Sequence, residues 1–300
     1  MTKNRLAIVI KLRFCLLLSI GVVLFFAQVG RCQDIKKQLK AAIKSDKSLA
    51  WEATKLYQDV LDNPEFKDLN LAEKLNVYDR LTWLYYVEEK YDQAEPLSYE
   101  SVRLRETSNQ DKSIKKDDIY YTSSASTWYT QALEWNGKAL LAVGKFKKAQ
   151  MAFQKAFEAY RKFNDDPWQK WELLVGLGRS YYLDGQSVAA IPLYQEAFGL
   201  KGPDGTYLIN DTHFVSAKAR CELANMYRDR GDFIKADALY LRAINIMDSG
   251  VYQGRKIKAY DDIRIENFLA YEQSLRLQNR NTEADNFHAA AESIKQSYRK

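Results

Sequence analysis

Three stretches of this 300-residue chain repeat one pattern at matching offsets. They are Leu140, Gly144, Phe146, Ala149, Phe153, Ala156; Tyr181, Gly185, Ala190, Tyr194, Ala197; and Tyr227, Gly231, Phe233, Ala236, Tyr240, Ala243. Each holds a large residue one turn before a glycine, then alanines and an aromatic at three- and four-residue steps. Such steps put side chains on one face of a helix, and the glycine marks a turn between two helices. A unit this short cannot bury its apolar face alone, so copies must stack on one another. Only five prolines occur, and no alternating Val/Ile/Thr runs mark strands. The expected fold class is therefore all-α, built from antiparallel helix pairs.

Two weaker copies flank the three. Ala94 and Ala284 match Ala149, Ala190 and Ala236, while Glu89 and Asn279 replace the turn glycines. Terminal units of a stack meet solvent on one side and are expected to drift. A half-unit in WEATKLYQDVL, with Ala53, Tyr57 and Val60 at second-helix spacing, precedes them at 34–62. The copies run roughly over 75–103, 130–160, 171–200, 217–247 and 265–297. Between the first two lies a polar insertion, Asn109–Asp118. Asn70 with Glu73 predicts a capping box, and Asp166-Pro167 a capped helix start.

The pattern resembles the tetratricopeptide repeat, over roughly residues 34–297. Phrases such as YDQAEPLSYESV and AAIPLYQEAF are similar to its longer kinesin light chain variety. The resemblance implies a right-handed superhelical solenoid. It also implies small residues at position 8 (Thr82, Gly137, Gly178, Ala224), against small residues at positions 20 and 27 of the second helix. Glu272 breaks the rule in the last copy, and His288 there falls on the large apolar position 24.

The formal charge is +6, but Lys3, Arg5, Lys11, Arg13 and Arg31 lie within residues 1–32, which hold no acid. Residues 33–300 carry a net +1, which argues against a nucleic-acid partner. The leader joins a basic start to the apolar run Phe14–Val29 and a GRC exit. It is expected to be an export signal cleaved after Cys32, or else a retained membrane anchor. Arg31 immediately before Cys32 disfavours lipidation. Export to a periplasm, cell envelope or extracellular space follows. Cys221 is then the one mature thiol, so no disulfide framework is expected.

Catalytic, cofactor and metal sites are not expected. GLGRSY at 176–181 lacks the third glycine and preceding strand of a phosphate loop. His213 and His288 are far apart, and metal sites need clustered ligands. Asn210-Asp211-Thr212 is a glycosylation sequon. Of the acidic pairs Glu88/Glu89, Asp117/Asp118, Asp165/Asp166 and Asp261/Asp262, most are expected at helix ends, where an acid suits an N-terminal dipole.

The resemblance places first-helix positions 2, 5, 9, 12 and 13 on a concave groove that holds a protein or peptide partner. Here those positions supply Asn76, Asp79, Trp83, Tyr86, Glu134, Lys138, Glu172, Arg179, Tyr182, Asn225, Arg228, Gln273 and Arg276. The family's carboxylate clamp needs Lys at position 5 and Asn at 9. Cys221 with Asn225, and Glu134 with Lys138, do not supply it. The expected function is an exported, non-enzymatic scaffold. A membrane-anchored subunit of a larger complex is the alternative, with membrane contact only if the leader is retained. A hydrolase using Glu134 and Glu172 is a further one.

Overall fold

A computed structural model describes residues 34–44, 50–110, 123–163, 166–202, 205–208, 215–248 and 258–298. The leader, Cys15, Cys32, His213, the sequon at 210–212 and residues 111–118 of the insertion lie outside them. Helix α1 spans 34–44. It is followed by α2 Ala50–Asp62, a 3-10 turn Pro64–Asp68, α3 Leu71–Val87 and α4 Tyr91–Gln110. Then come α5 Ser123–Ala142, α6 Phe146–Phe163, α7 Pro167–Leu183, α8 Ser187–Gly199, α9 Val215–Asp229, α10 Phe233–Asp248, α11 Lys258–Leu277 and α12 Asn281–Ser297. Among the described residues, one isolated bridge, Lys201 with Tyr207, is the departure from helix and turn. No described helix is long and apolar enough to cross a membrane.

The chain divides into two compact units, with the boundary between Ala125 and Ser126. In the first, α2 packs on α3 and α3 on α4. In the second, α7 pairs with α8, α9 with α10 and α11 with α12. Each pair there meets the next through its second helix, as α6 meets α7 and α10 meets α11. The odd-numbered first helices α7, α9 and α11 also touch in succession.

Five helix–helix turns share one geometry. Glu89, Gly144, Gly185, Gly231 and Asn279 all lie in the left-handed region, at φ of 59, 75, 77, 76 and 61°. The following N–H donates back over the turn: Lys90 to the Tyr85 carbonyl, Lys145 to Leu140, Gln186 to Tyr181, Asp232 to Tyr227 and Arg280 to Leu275, at 2.8–2.9 Å. This closure satisfies carbonyls that a helix end leaves orphaned. Helix starts follow the sequence too. Asn70 and Glu73 form a reciprocal capping box, and the Asp166 side chain accepts from the Trp168 N–H ahead of Pro167.

Inside each pair the second-helix alanine is sealed off: Ala94, Ala149, Ala190, Ala236 and Ala284 have no exposed surface. The glycines at position 8 contact the ring at position 24, a finer arrangement than the small-on-small contact expected. A Cβ at Gly137 would come within 2.7 Å of Phe153, and one at Gly178 within 2.8 Å of Tyr194. The last pair differs again. His288 is not in the core but exposed, and its Nδ1 lies 3.0 Å from Glu272. Its counterparts Phe153, Tyr194 and Tyr240 are buried where they meet Gly176 on α7, Glu222 on α9 and Tyr271 on α11.

One inter-pair hydrogen bond recurs. Tyr85 donates to Gln58 at 2.6 Å, Gln154 donates to Tyr181 at 3.0 Å, and Gln195 donates to Tyr227 at 2.8 Å. Each joins the residue after position 24 to position 11 of the next first helix. Helix α2 thus stands in the same register as the second helices, with Ala53, Tyr57 and Val60 buried.

Candidate interaction surface

The two units present separate sets of the expected groove residues. In the first, α3 carries Asn76, Asp79, Trp83 and Tyr86. Asp79 is tied to α4: both of its oxygens accept from Arg105, at 2.7 and 3.2 Å, and Ser101 donates to it as well. Asn76 accepts from Tyr57 at 3.5 Å, the outer limit of a hydrogen bond. Trp83 is half-buried with Arg80 5.0 Å over its ring, and Tyr86 stands edge-on to Tyr91 at 5.2 Å. Trp83 and Tyr86 therefore keep partial exposure, while Asp79 is a structural lock.

In the second unit, polar residues of α5, α7, α9 and α11 join one first helix to the next. Lys138 on α5 reaches Glu172 on α7 at 2.5 Å, Glu134 on its own helix at 2.6 Å, and lies 4.7 Å over the Trp135 ring. Arg179 on α7 donates to Glu222 on α9 at 2.7 Å. Arg228 on α9 donates to Gln273 on α11 at 2.8 Å and to Asn225 at 3.1 Å. Asn225 also accepts from Tyr240 at 2.6 Å. Eight of the expected residues, counting Tyr182 beside Asn225, so form a polar wall across four helices. Arg276 turns away and pairs with Glu272 and Asp285.

Burial shapes the charge on this wall. The Lys138 ammonium would fall on burial, but Glu134 and Glu172 outweigh that and hold it well above the usual lysine range. Burial pushes the Glu134 carboxyl up; Lys138 opposes this and Glu172 adds to it, so it stays above the ordinary range. Burial also raises Glu172, yet Lys138 overrides it and holds Glu172 low. Burial raises the Tyr182 phenol. Cys221 is fully buried, which pushes its thiol far above the range of a reactive thiolate.

Glu222 and Tyr194 were not expected here. Glu222 is 4% exposed and accepts from both Arg179 and Tyr194, the latter at 2.6 Å. The available signal was an acid inside the small-residue stretch ARCELANMY, where an unpaired carboxylate would be costly. Among the described residues, no group of three or more His, Cys, Asp or Glu is placed to hold a metal ion. A cleft of about 490 Å³ in the first unit, lined by Gln38, Leu56, Asp59, Asp62 and Asn63, contains none of the expected residues.

No family model matches the sequence, and no curated protein matches it. Solved structures do share its fold. BtubC (BKLC) from P. vanneervenii superposes with a TM-score of 0.57 at 15% identity, covering 88% of this chain and 92% of that one. The kinesin light chain protein of Podosopora anserina, built of nearly identical TPR-like repeats, gives 0.53 at 14% identity, over 77% of this chain and 100% of its own. A Rap protein complexed with Competence and Sporulation Factor gives 0.52 at 13% identity, over 87% and 74%. The fold is that of a tetratricopeptide-type helical-repeat protein.

Proposed function

We propose that this chain is an exported, non-enzymatic scaffold that holds a protein or peptide partner on the first-helix wall of its second unit. The tetratricopeptide-type fold supports an interaction scaffold in general. The Rap neighbour is complexed with Competence and Sporulation Factor, which supports a protein or peptide ligand for a fold of this kind. The observation that carries the reading is the wall itself. Lys138, Arg179 and Arg228 are each fixed by a partner on the same or an adjoining helix, so their charged heads are held in set positions. Pre-organised polar groups beside a half-buried Tyr182 lower the entropic cost of binding.

A photoreactive residue at Gln273, which is exposed on α11, tests it against one at Ala289 on α12. Crosslinking of one partner from 273 and not from 289, weakened about tenfold by Tyr182→Ala, is the expected result. Equal capture from both positions sinks the reading. Export is tested by the mature N-terminus, Gln33 for a cleaved signal and Met1 for an anchor.

The convergence of Glu134 and Glu172, one carboxyl high and the other low, favours a second, hydrolytic reading. Lys138 fills the position between them, which weighs against it. Loss of a measured hydrolytic activity in a Glu134→Gln, Glu172→Gln variant, with partner capture intact, would restore that reading.

A further inference from the structure

The near-neutral total of residues 33–300 conceals one strongly charged helix. From Lys145 to Lys162 there are six basic residues, Lys145, Lys147, Lys148, Lys155, Arg161 and Lys162, against the single acid Glu158. All seven are exposed. Lys145 sits in the turn before α6 and the other six line its outer side, while its inner side buries Ala149, Ala152, Phe153, Ala156, Ala159 and Tyr160. At about 1.5 Å per residue the band runs some 22 Å from Lys147 to Lys162. Met151 stands within it, one turn from Lys147 and one from Lys155, and is 62% exposed.

We propose that the outer face of α6 docks on the surface of an anionic lipid bilayer. Three features favour a bilayer over a folded or peptide partner. Lysine outnumbers arginine five to one. Lysine acts as a hydrated point charge suited to a diffuse field of headgroups, whereas bidentate recognition of one carboxylate or phosphate favours arginine. A protein hot spot needs an apolar anchor seated in a pocket. Here one helix presents its outer surface, with a single flexible apolar side chain at the centre of the charge. Finally, and resting on the export reading proposed above, the leader would carry the chain to a membrane during export or hold it there as an anchor. Clusters of four to eight Lys and Arg on a helix are the usual electrostatic footprint of anionic lipid. Because the apolar side of α6 is committed to the core, attachment is electrostatic and reversible, with Met151 reaching the headgroup layer.

The test uses the full chain with a photoreactive residue at Met151, or at Gln273 as control, mixed with vesicles. One set is phosphatidylcholine alone; the other contains about a third phosphatidylglycerol. Lipid crosslinks are expected at 151 in anionic vesicles, at least tenfold fewer in neutral ones, and few at 273. Near 1 M salt, where screening acts within about 3 Å, the crosslink at 151 should disappear. The exposed triple variant Lys147→Glu, Lys148→Glu, Lys155→Glu should lose it as well, on the order of a hundredfold in lipid partitioning. The proposal is overturned by equal crosslinking in neutral and anionic vesicles, which means that the leader alone does the tethering. It is equally overturned by no lipid crosslink at 151, or by its displacement in favour of added nucleic acid or an acidic protein.

Discussion

The ring of Phe153 on α6 occupies the space that a side chain at Gly176 on α7 would need. A Cβ built at Gly176 would lie 2.5 Å from the ring's Cζ, and one at Gly137 on α5 would meet the other edge at 2.7 Å. One aromatic is thus clasped between the first helix of its own pair and the first helix of the next. Gly176→Ala is therefore an overpacking substitution, expected to cost about 1–3 kcal/mol. Gly199, at the end of α8, has nothing within 4 Å of its missing Cβ. Gly199→Ala should be neutral, or stabilising by up to about 1 kcal/mol. Denaturant midpoints of the two variants check the pair; similar losses in both would remove the steric account.

The same clasp shows what the sequence could and could not reveal. Offsets among Ala190, Tyr194 and Ala197 are set by helical geometry, so they identify helix pairs without any structure. Gly185 and its counterparts signal the turn because few other residues take positive φ. Gly176 carried no such signal, since its reason is a ring twenty-three residues away across a helix pair. His288 misled for a related cause. Its offset matches Phe153 and Tyr194, but those rings are buried where they meet α7 and α9. Groove positions such as Arg179 were placed by offset, whereas their partners depend on how neighbouring first helices approach. Glu222 was therefore missed. The charge of α6 was invisible in a total because acids on other helices cancel it.

The turns offer a direct test of backbone strain. Glu89 and Asn279 hold φ of 59 and 61°, a conformation that favours glycine. Glu89→Gly should stabilise the first unit by about 0.5–1 kcal/mol, raising its melting midpoint by a few degrees. Gly144→Ala, at φ 75°, should cost a similar amount in the second. No change from either substitution would show that these turns relax without strain.

Glu222 joins three helices, accepting from Arg179 on α7 and from Tyr194 on α8 while sitting on α9. Glu222→Gln removes from the Arg179 guanidinium the carboxylate that it pairs with on α9, while Glu172 still acts on it from α7. Arg179 keeps some solvent, its side chain being 27% exposed, so the loss is moderated to about 2–3 kcal/mol. Tyr194→Phe alone should cost about 1 kcal/mol. A double-mutant cycle on urea unfolding should give a coupling of at least about 0.5 kcal/mol between the two. Additive losses would mean that the buried phenol and carboxylate do not depend on one another.

Lys138 and its two glutamates predict how stability responds to pH. Glu172 is depressed in the folded chain, so its contribution is present above the unfolded carboxylate value, about 4.3, and is lost as pH falls through its lower folded value. Glu134 has the opposite sign. Burial, with Glu172 adding to it against the pull of Lys138, raises its folded value. Its ionised form therefore opposes folding at neutral pH, and protonation relieves this as pH falls from its raised value toward about 4.3. Glu134→Gln keeps an acceptor for Lys138 while removing that penalty. Stability at pH 7 should be unchanged or higher, and the profile between neutral pH and about 4.3 should flatten. Glu172→Gln should instead lower stability at pH 7 by roughly 1–3 kcal/mol, because Lys138 would keep only the carboxylate that burial disfavours. Thermal unfolding of both variants across that range decides the matter. A Glu134→Gln variant clearly weaker than wild type at pH 7 would reverse the roles assigned to the two carboxylates.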